Sequence, residues 1–353
     1  MRMRLQEDVE ALHQMGVVGA QARVATAGGD TVTAVSGYAD IRVSEPVSAD
    51  GHFRIASCTK PFIATVVLQL AADGRLALEE TVEDHLPGLV CGNGNDGRLV
   101  TIRHLLQNTS GLPDDQPGYE SAADYYAHRY DAYTGEDLVA RAVNQPPEFR
   151  PGQGWGYSNT GFVLAELIIE RVAGRSWAEE LSRRILRPLG LANTRWAGSE
   201  RTLPEPHARA YERFDAGESL VDVTDQVEAF PGLISTTADL GRFLRALMSG
   251  ELLAPDQLAQ MQQTVDVSAD IEVLWPGGRY GLGLLSRPLP GAGTYWGHDG
   301  GEGGYITGTG VTADGRTSVV VSASTALGDA PENMVREQQA LDAVVQHALL
   351  DAQ

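Results

Sequence analysis

The sequence predicts a mixed α+β fold: one antiparallel sheet built from both ends of the chain and flanked by helices, with a mainly helical lobe inserted between its two halves. Two observations lead to this prediction. Strand-like segments separated by turn signals occur at residues 19–40 and again from residue 280 onwards, whereas residues 80–270 are mainly helical with Pro- and Gly-rich interruptions. Because such an insertion packs as a second lobe, we expect a cleft between it and the sheet.

The N-terminal elements are a helix, a hairpin and a second helix. Residues 5–15 have the pattern of a short amphipathic helix, and two strands within residues 19–40 flank the hairpin signal Gly28-Gly29-Asp30. A strongly apolar helix follows over residues 62–72 and ends at Asp73-Gly74. These elements provide the first half of the sheet and a helix for the core.

The C-terminal elements complete the sheet. Strands are predicted at residues 280–286, 293–297, 305–312 and 317–323, the last of them after a turn at Asp314-Gly315. A closing helix is predicted over residues 333–350. We therefore expect a single domain over residues 1–353, in which residues 1–78 and 272–353 form the sheet lobe and residues 79–271 the helical lobe.

Composition and charge restrict the class of partner. The 353 residues have a formal net charge of −20 and a hydrophobic fraction of 42%. Such a chain has enough apolar material for a large core, but it is a poor partner for nucleic acid or anionic lipid because it cannot neutralise phosphate groups. We expect no nucleic-acid and no membrane partner.

Cysteine usage and the N-terminus bear on the compartment. Two cysteines, Cys58 and Cys91, are too few for a disulfide framework. The first residues are charged and contain no apolar run of signal-peptide length, and the longest apolar runs in the chain are too short to cross a bilayer. If Met1 is the native start, we expect a cytoplasmic protein.

The first chemical signal is Ser57-Cys58-Thr59-Lys60, where an extended segment meets the apolar helix. A serine three residues before a lysine places both side chains on one helical face, so the amine can hydrogen-bond the hydroxyl group. A nucleophile at a helix N-terminus also gains from free backbone N–H groups. In isolation the same pattern fits a capping serine beside a surface lysine.

The second signal is Tyr157-Ser158-Asn159, immediately before another apolar helix. A tyrosine can relay protons, and an asparagine amide can hold a substrate carbonyl group. The alternative interpretation is a helix cap beside a packed tyrosine. The spacing of Gly156, Ser158 and Gly161 misses the nucleophile elbow of α/β-hydrolases by one residue, so that fold is disfavoured.

The third signal is His298-Asp299-Gly300-Gly301, which opens a glycine-rich segment between two strands. Glycine at such a place permits close approach of the backbone to a ligand. The alternatives are a simple hairpin turn or a metal or phosphate loop. No second histidine or cysteine lies at ligand spacing and the segment does not open a helix, so we expect no metal there.

In this order, the motifs at Ser57, Tyr157 and His298 resemble the three catalytic motifs of the serine penicillin-recognising enzymes, and more narrowly of their DD-peptidase and class C β-lactamase branch. The resemblance covers nearly the whole chain, including segments 50–74, 104–113, 232–250 and 280–284 and the terminal helix. It implies a β-lactamase/transpeptidase-like fold and acyl transfer through a covalent intermediate, with no metal and no organic cofactor.

The resemblance also implies a role for each residue. Ser57 attacks a carbonyl group, and Lys60 and Tyr157 share the proton transfers, with the identity of the general base left open. The backbone N–H groups of Ser57 and Gly301 form the oxyanion hole. Lys60 must be partly neutral to act as a base, which burial beside Tyr157 favours. The residues expected at the reacting centre or against the substrate are His298, Ser158, Asn159, Asp299, Gly300, Leu285 and Trp155.

One departure from the family pattern concerns the substrate. Carboxypeptidases of this branch hold a free C-terminal carboxylate with an arginine on the strand before the third motif and with hydroxyl groups flanking its final glycine. Here the arginine position falls on Leu285 and the hydroxyl positions on Asp299 and Gly301, while Arg287 lies on the same face of the strand as a partial substitute. Because an aspartate beside a substrate carboxylate weakens binding, we expect a substrate without a free C-terminal carboxylate.

The resulting hypothesis is a serine acyl-transfer enzyme, either hydrolase or transacylase, that acts on an ester, thioester or amide. The substrate is small or peptidyl, and both an amine acceptor and a donor bound to a carrier protein are compatible with it. Relatives of this kind include esterases, D-amino-acid amidases, and the transacylases, thioesterases and peptide cyclases of natural-product pathways. Two alternatives remain: a D-alanyl-D-alanine carboxypeptidase or β-lactamase, and a catalytically inactive homologue that only binds a ligand.

Overall fold

Both ends of the chain meet in the central sheet. A computed structural model of the chain describes residues 1–215, 219–230, 232–328 and 330–352. The strands of the described chain are β1 (Gly19–Ala25), β2 (Thr31–Asp40), β3 (Glu45–Pro46), β4 (Phe53–Arg54), β5 (Cys91–Gly92), β6 (Asn95–Asp96), β7 (Arg195–Trp196), β8 (Tyr211–Glu212), β9 (Val221–Asp222), β10 (Leu233–Ser235), β11 (Val265–Asp266), β12 (Arg279–Tyr280), β13 (Leu285–Leu289), β14 (Gly293–Gly297), β15 (Gly300–Glu302), β16 (Tyr305–Thr312), β17 (Ser318–Ala323) and β18 (Thr325–Ala326).

The helices lie at the termini and through the middle of the chain. In the described residues they are α1 (Arg2–Gln14), α2 (Lys60–Ala72), α3 (Val82–His85), α4 (Ile102–Leu106), α5 (Ala122–His128), α6 (Gly135–Val143), α7 (Asn159–Ala173), α8 (Trp177–Leu181), α9 (Arg187–Leu189), α10 (Thr237–Met248), α11 (Pro255–Met261), α12 (Ala269–Glu272) and α13 (Pro331–Asp351). A short 3₁₀ turn (Ala56–Thr59) precedes α2, and a π-helical turn (Ser182–Leu186) joins α8 to α9.

The main sheet has the strand order β11-β12-β13-β14-β16-β17-β1-β2-β3, with β15 paired to β16. Its neighbouring strands are antiparallel, and the N-terminal β1 pairs with the C-terminal β17 from Ala20 opposite Ala323 to Ala25 opposite Ser318. The predicted mixed fold, with one antiparallel sheet drawn from both chain ends, is therefore confirmed.

Helices cover both faces of the sheet. Side chains alternate across a strand, and in β17 Val319 and Val321 pack into the cluster formed with α1 and α13, whereas Val320 faces the larger core. On that second side α10 lies against the sheet, where the Nη1 atom of Arg245 donates to Ser318 Oγ at 2.8 Å. The division into lobes at residues 79 and 271 stays a prediction, although α10 belongs spatially with the sheet.

Helix α2 is the centre of the larger core. Its residues from Lys60 to Leu68 are all buried, as its uninterrupted apolar sequence predicts, because a helix that is apolar on every side has no face for water. Helix α7 packs directly against it. The two helices begin at Lys60 and Asn159, so their packing brings the first and second motifs together.

The prediction of a single strand over residues 280–286 is wrong. The chain forms β12, then a tight turn in which Gly281 N donates to Leu284 O at 2.8 Å, and then β13. Gly283 has a φ of +63° there, and a Cβ atom would lie 2.9 Å from the carbonyl oxygen of Lys60. Glycine therefore allows the turn to sit against the start of α2.

Candidate active site

Ser57 lies on the turn that carries the chain from β4 into α2. The preceding residue, Ala56, has a φ of +46°, a left-handed conformation that is costly for a residue with a side chain. Such strain is common at functional turns. The turn leaves Ser57 in the wall of a cavity of about 330 Å³, which Tyr157 also lines.

Two hydrogen bonds converge on the hydroxyl oxygen of Ser57. Lys60 Nζ donates to Ser57 Oγ at 2.9 Å, and Tyr157 Oη donates to the same oxygen at 2.7 Å. Lys60 Nζ also donates to Asn159 Oδ1 at 2.6 Å. The structure therefore brings together four residues that the sequence placed in two separate motifs, at the distances that proton transfer requires.

Burial changes the protonation of both groups around Ser57. Lys60 is completely buried, and the loss of hydration lowers its pKa to about 8, against the opposing effect of the Asp114 carboxylate. Burial also raises the pKa of Tyr157 above its ordinary value. Lys60 is thus the group whose protonation changes near neutral pH, while Tyr157 remains a neutral phenol.

Asp114 is a site residue that the sequence analysis missed. Its carboxylate accepts from the backbone N of Asn159 at 3.0 Å and from Asn159 Nδ2 at 2.9 Å. These bonds turn Asn159 Oδ1 towards Lys60. Asp114 lies 45 residues before Asn159, and this spacing matches no known motif. The one indication in the sequence was the adjoining segment 104–113, which is part of the family resemblance.

His298 is buried beside Tyr157 and does not line the cavity in the described residues. Its Nδ1 atom lies 2.6 Å from the carbonyl oxygen of Asp299, which can only accept, so Nδ1 carries the proton and Nε2 accepts from Tyr280 Oη at 2.9 Å. Burial, with a smaller effect of the Lys60 charge, lowers the pKa of His298 to about 3. A catalytic role stays a prediction, and this neutral imidazole is placed to position its neighbours.

The strand β15 approaches the nucleophile turn closely. A Cβ atom at Gly300 would collide with the carbonyl oxygen of Ile55 and lie 3.2 Å from Cys58 N, so only glycine fits there. Gly300 and Gly301 line the same cavity as Ser57. This placement is compatible with the predicted oxyanion hole of the Ser57 and Gly301 N–H groups, which stays a prediction.

Three residues predicted to contact substrate lie behind the cavity. Leu285 and Trp155 are buried in an aromatic cluster with Trp275 and Tyr280, and Ser158 is buried at the N-terminus of α7. None of the three lines the cavity in the described residues, and Asn159, which bonds to Lys60 and Asp114, does not line it either. Their apolar surroundings explain the burial of Leu285 and Trp155, and a substrate-binding role of the three residues stays a prediction.

Arg287 is not available as a substitute for the missing carboxylate-binding arginine. It is buried, and its two Nη atoms donate to both carboxylate oxygens of Asp299 at 2.9 Å, while Nη1 also lies 2.8 Å from Asp342 Oδ1. The expectation of a partial substitute is therefore corrected: the sequence could not show that Asp299 pairs with Arg287. Asp299 does line the cavity, but with its charge compensated.

Cys58 is a packed residue. It is buried, burial raises its thiol pKa, and its Sγ atom donates to the carbonyl oxygen of His298 at 2.9 Å. Within the part of the chain that the structure describes, no cluster of three or more His, Cys, Asp or Glu side chains could hold a metal ion. No helix in the same residues is long and apolar enough to cross a membrane.

Comparison with known proteins places this site in a family context. The family described as Beta-lactamase matches residues 5–344 of the chain. Penicillin-binding protein 4* of Bacillus subtilis is 31% identical over 301 residues, which are 80% of this chain, and the chain spans 63% of the length of that relative. Esterase EstB of Burkholderia gladioli is 31% identical over 79% of this chain and 78% of its own length.

Two solved structures are similar to the chain over nearly its full length. A D-stereospecific amidohydrolase from a Streptomyces species has 36% sequence identity and a TM-score of 0.85, covering 96% of this chain and 98% of its own. The D-amino acid amidase of Ochrobactrum anthropi SV3, in complex with L-phenylalanine amide, has 28% identity and a TM-score of 0.83, covering 98% and 97%. Both similarities extend over the elements that carry the site.

Proposed function

The chain belongs to the beta-lactamase family of serine hydrolases, and on that premise we propose that it transfers the acyl group of an amide or ester that has no free C-terminal carboxylate, through an acyl-enzyme on Ser57. A thioester donor fits the same chemistry. The similar proteins include an amidohydrolase, an amidase and an esterase, which supports amides and esters as the first substrates to test.

The first step forms the acyl-enzyme. Neutral Lys60 accepts the proton of the Ser57 hydroxyl, and Ser57 Oγ forms a bond to the carbonyl carbon of the substrate. The carbonyl oxygen takes the negative charge, which the N–H groups of Ser57 and Gly301 stabilise. When the bond to the leaving group breaks, Tyr157 protonates that group, and the Lys60 ammonium restores the tyrosine proton.

The second step releases the acyl group by the reverse proton transfers. Water or an amine loses a proton to the same pair of groups, its oxygen or nitrogen forms a bond to the acyl carbon, and the bond to Ser57 Oγ breaks. The Ser57 hydroxyl is thereby regenerated. Hydrolysis and transfer differ only in the acceptor, so the contacts around Ser57 serve both reactions.

One observation carries the choice of substrate class: the buried pair of Arg287 and Asp299. Arg287, in β13, is bound to two carboxylates, those of Asp299 and Asp342. The described lining of the cavity contains no lysine, arginine or histidine. A substrate carboxylate would therefore enter a cavity whose described lining offers no cation to pair with it.

A set of matched substrates tests this proposal. One acyl group is presented as the amide, ester and thioester and, in a peptide of the same length, with a free C-terminal carboxylate, each with and without an added amine. We expect turnover of at least one carboxylate-free donor and much slower release from the free acid. Equal rates on the free-acid peptide would favour a D-alanyl-D-alanine carboxypeptidase instead, and binding without turnover of any donor would favour a ligand-binding homologue.

A further inference from the structure

Three carboxyl groups that form no salt bridge within the described residues line the cavity beside the nucleophile. They belong to Glu212, Glu302 and Glu337, and they come from three separate elements: β8, the end of β15 and the second turn of α13. Only the tertiary structure brings the three side chains together. Strand β8 pairs with β18 and therefore lies beside the loop that leads into α13. The mechanism above uses none of them.

Glu337 gives a separate indication that a ligand is bound here. Its side chain is only 2% exposed, and its Oε2 atom accepts from Leu327 N at 3.0 Å. Its Oε1 atom has no hydrogen-bond partner in the described residues. A buried carboxylate oxygen without a donor is costly, and a donor on a bound ligand would satisfy it.

Among the described residues, the carboxyl groups of the cavity differ in whether they form a salt bridge. Asp299, which lines the same cavity, is paired with Arg287, whereas burial raises the pKa of Glu212 with no opposing cation. Burial likewise raises the pKa of Glu337 to about 7. Burial and the nearby Glu228 raise the pKa of Glu302 to about 8, despite the charges of Arg54 and Lys60. A cation in the cavity would favour the ionised form of all three.

We infer that this cavity binds a protonated amine on the acyl donor, held by Glu302 and Glu337 with Glu212 as a further carboxylate. The inference rests on the proposed function, because the same donor must place its carbonyl group at Ser57. Leu274, Trp275 and Ile306 give the rest of the wall an apolar surface for the carbon skeleton that carries the amine.

Matched donors with charged and uncharged amines test this inference. The probes are the para-nitroanilides of phenylalanine and of Nα-acetyl-lysine in both stereochemical forms, each compared with the same compound acetylated on its free amine. We expect kcat/KM to fall about tenfold or more when the amine is acetylated, as for the loss of a buried charge pair. The phenylalanine series places the charge at the α-amine and the lysine series at the side chain, so the more sensitive series identifies which amine is bound.

Variants then assign the effect to the cavity. We expect Glu337→Gln and Glu302→Gln to lower the ratio of kcat/KM for the charged donor to kcat/KM for the acetylated donor about tenfold, towards one, since glutamine keeps the shape and loses the charge. Glu332→Gln is the matched control, because Glu332 is exposed in the first turn of the same helix and does not line the cavity. An equal fall for both donors in the two cavity variants would contradict the inference.

A measurement on the unmodified enzyme tests the inference without relying on the folding of a variant. N,N-dimethylhexylamine is cationic at neutral pH and forms no stable amide, and we expect it to inhibit hydrolysis of para-nitrophenyl acetate about tenfold more strongly than hexanoate or N,N-dimethylhexanamide. Equal inhibition by the three compounds would overturn the inference while acyl transfer itself persists. Failure of the proposed function has a different result, which is no Ser57-dependent turnover of para-nitrophenyl acetate or of any anilide.

Discussion

The carboxylate of Asp114 accepts two hydrogen bonds from Asn159, one from its backbone N at 3.0 Å and one from its side-chain Nδ2 at 2.9 Å. This relationship fixes the orientation of the asparagine amide, so Oδ1 faces Lys60 Nζ at 2.6 Å. Asp114 thus acts on Ser57 indirectly, through the side chains of Asn159 and Lys60. Its negative charge also raises the pKa of Lys60, against the effect of burial.

Replacing Asp114 is expected to change the pH dependence of the enzyme. In Asp114→Asn the carboxylate that favours the charged form of Lys60 is gone, so the pKa of Lys60 falls and the acid limb of kcat/KM moves to lower pH. The measurement is kcat/KM from pH 5 to 10 on an uncharged ester. Asp115→Asn is the control, since Asp115 pairs with Arg141 outside the site. An unshifted limb in Asp114→Asn would show that Asp114 has no electrostatic role.

The unmodified enzyme should have an acid limb near the pKa of Lys60, which is about 8. Only the neutral amine can accept the Ser57 proton, so activity rises as the pH increases through that value. Lys60→Arg should abolish the limb together with most of the activity, because a guanidinium group stays protonated throughout this range. Rates that are independent of pH between 6 and 9 in the unmodified enzyme would exclude Lys60 as the general base.

Tyr157→Phe removes one of the two hydrogen bonds to Ser57 Oγ. We expect the rate of acylation to fall about a hundredfold or more, in line with the loss of a general acid–base group. The aromatic ring still packs near Trp155 and Trp275, so the urea midpoint of unfolding should change little. The acylation rate is measured by stopped-flow with an activated ester. A fall of less than about threefold would assign the proton transfers to Lys60 alone.

The Arg287–Asp299 pair is expected to stabilise the fold. Arg287→Met leaves Asp299 and Asp342 as buried carboxylates without their cation, at a cost of about 3–5 kcal/mol in the free energy of unfolding. Because burial already raises the pKa of Asp299 and loss of the arginine raises it further, protonation relieves this cost and the difference from the unmodified protein shrinks as the pH falls.

Urea unfolding at several pH values measures that difference. In the double variant Arg287→Met/Asp299→Leu the loss should be smaller than the sum of the two single losses, since the variant removes both partners. Arg279→Met serves as a control for the loss of an arginine from the exposed edge of the same sheet region. Additive losses in the double-mutant cycle would mean that Arg287 and Asp299 do not interact energetically.

The sequence predicted the fold class, the sheet drawn from both chain ends, and the motifs at Ser57 and Tyr157, because these depend on local turn signals, periodicity and short spacing. It missed the turn between β12 and β13, since an apolar run does not reveal that Gly283 must sit against Lys60. It also missed the role of Asp114 and the pairing of Arg287 with Asp299. Both are contacts between side chains distant in sequence or on neighbouring strands, and no local pattern specifies them.

The cavity carboxyl groups could not have been predicted for a similar reason. Glu212, Glu302 and Glu337 lie in three elements far apart in sequence, and each one alone looks like part of a strongly acidic surface. Only folding brings them to one cavity, where Glu337 is buried and Glu212 and Glu302 are partly buried. Three of the acidic residues that contribute to the formal net charge of −20 therefore lie in the cavity beside the nucleophile.

The most direct test of the account is mass spectrometry of the protein after incubation with an activated ester or a β-lactam. We predict a mass increase equal to one acyl group, mapped by peptide analysis to Ser57 rather than to the neighbouring Cys58, and absent from Ser57→Ala. An adduct that persists in Ser57→Ala, or the absence of an adduct with every acylating probe, would contradict the central claim that this chain works through an acyl-enzyme on Ser57.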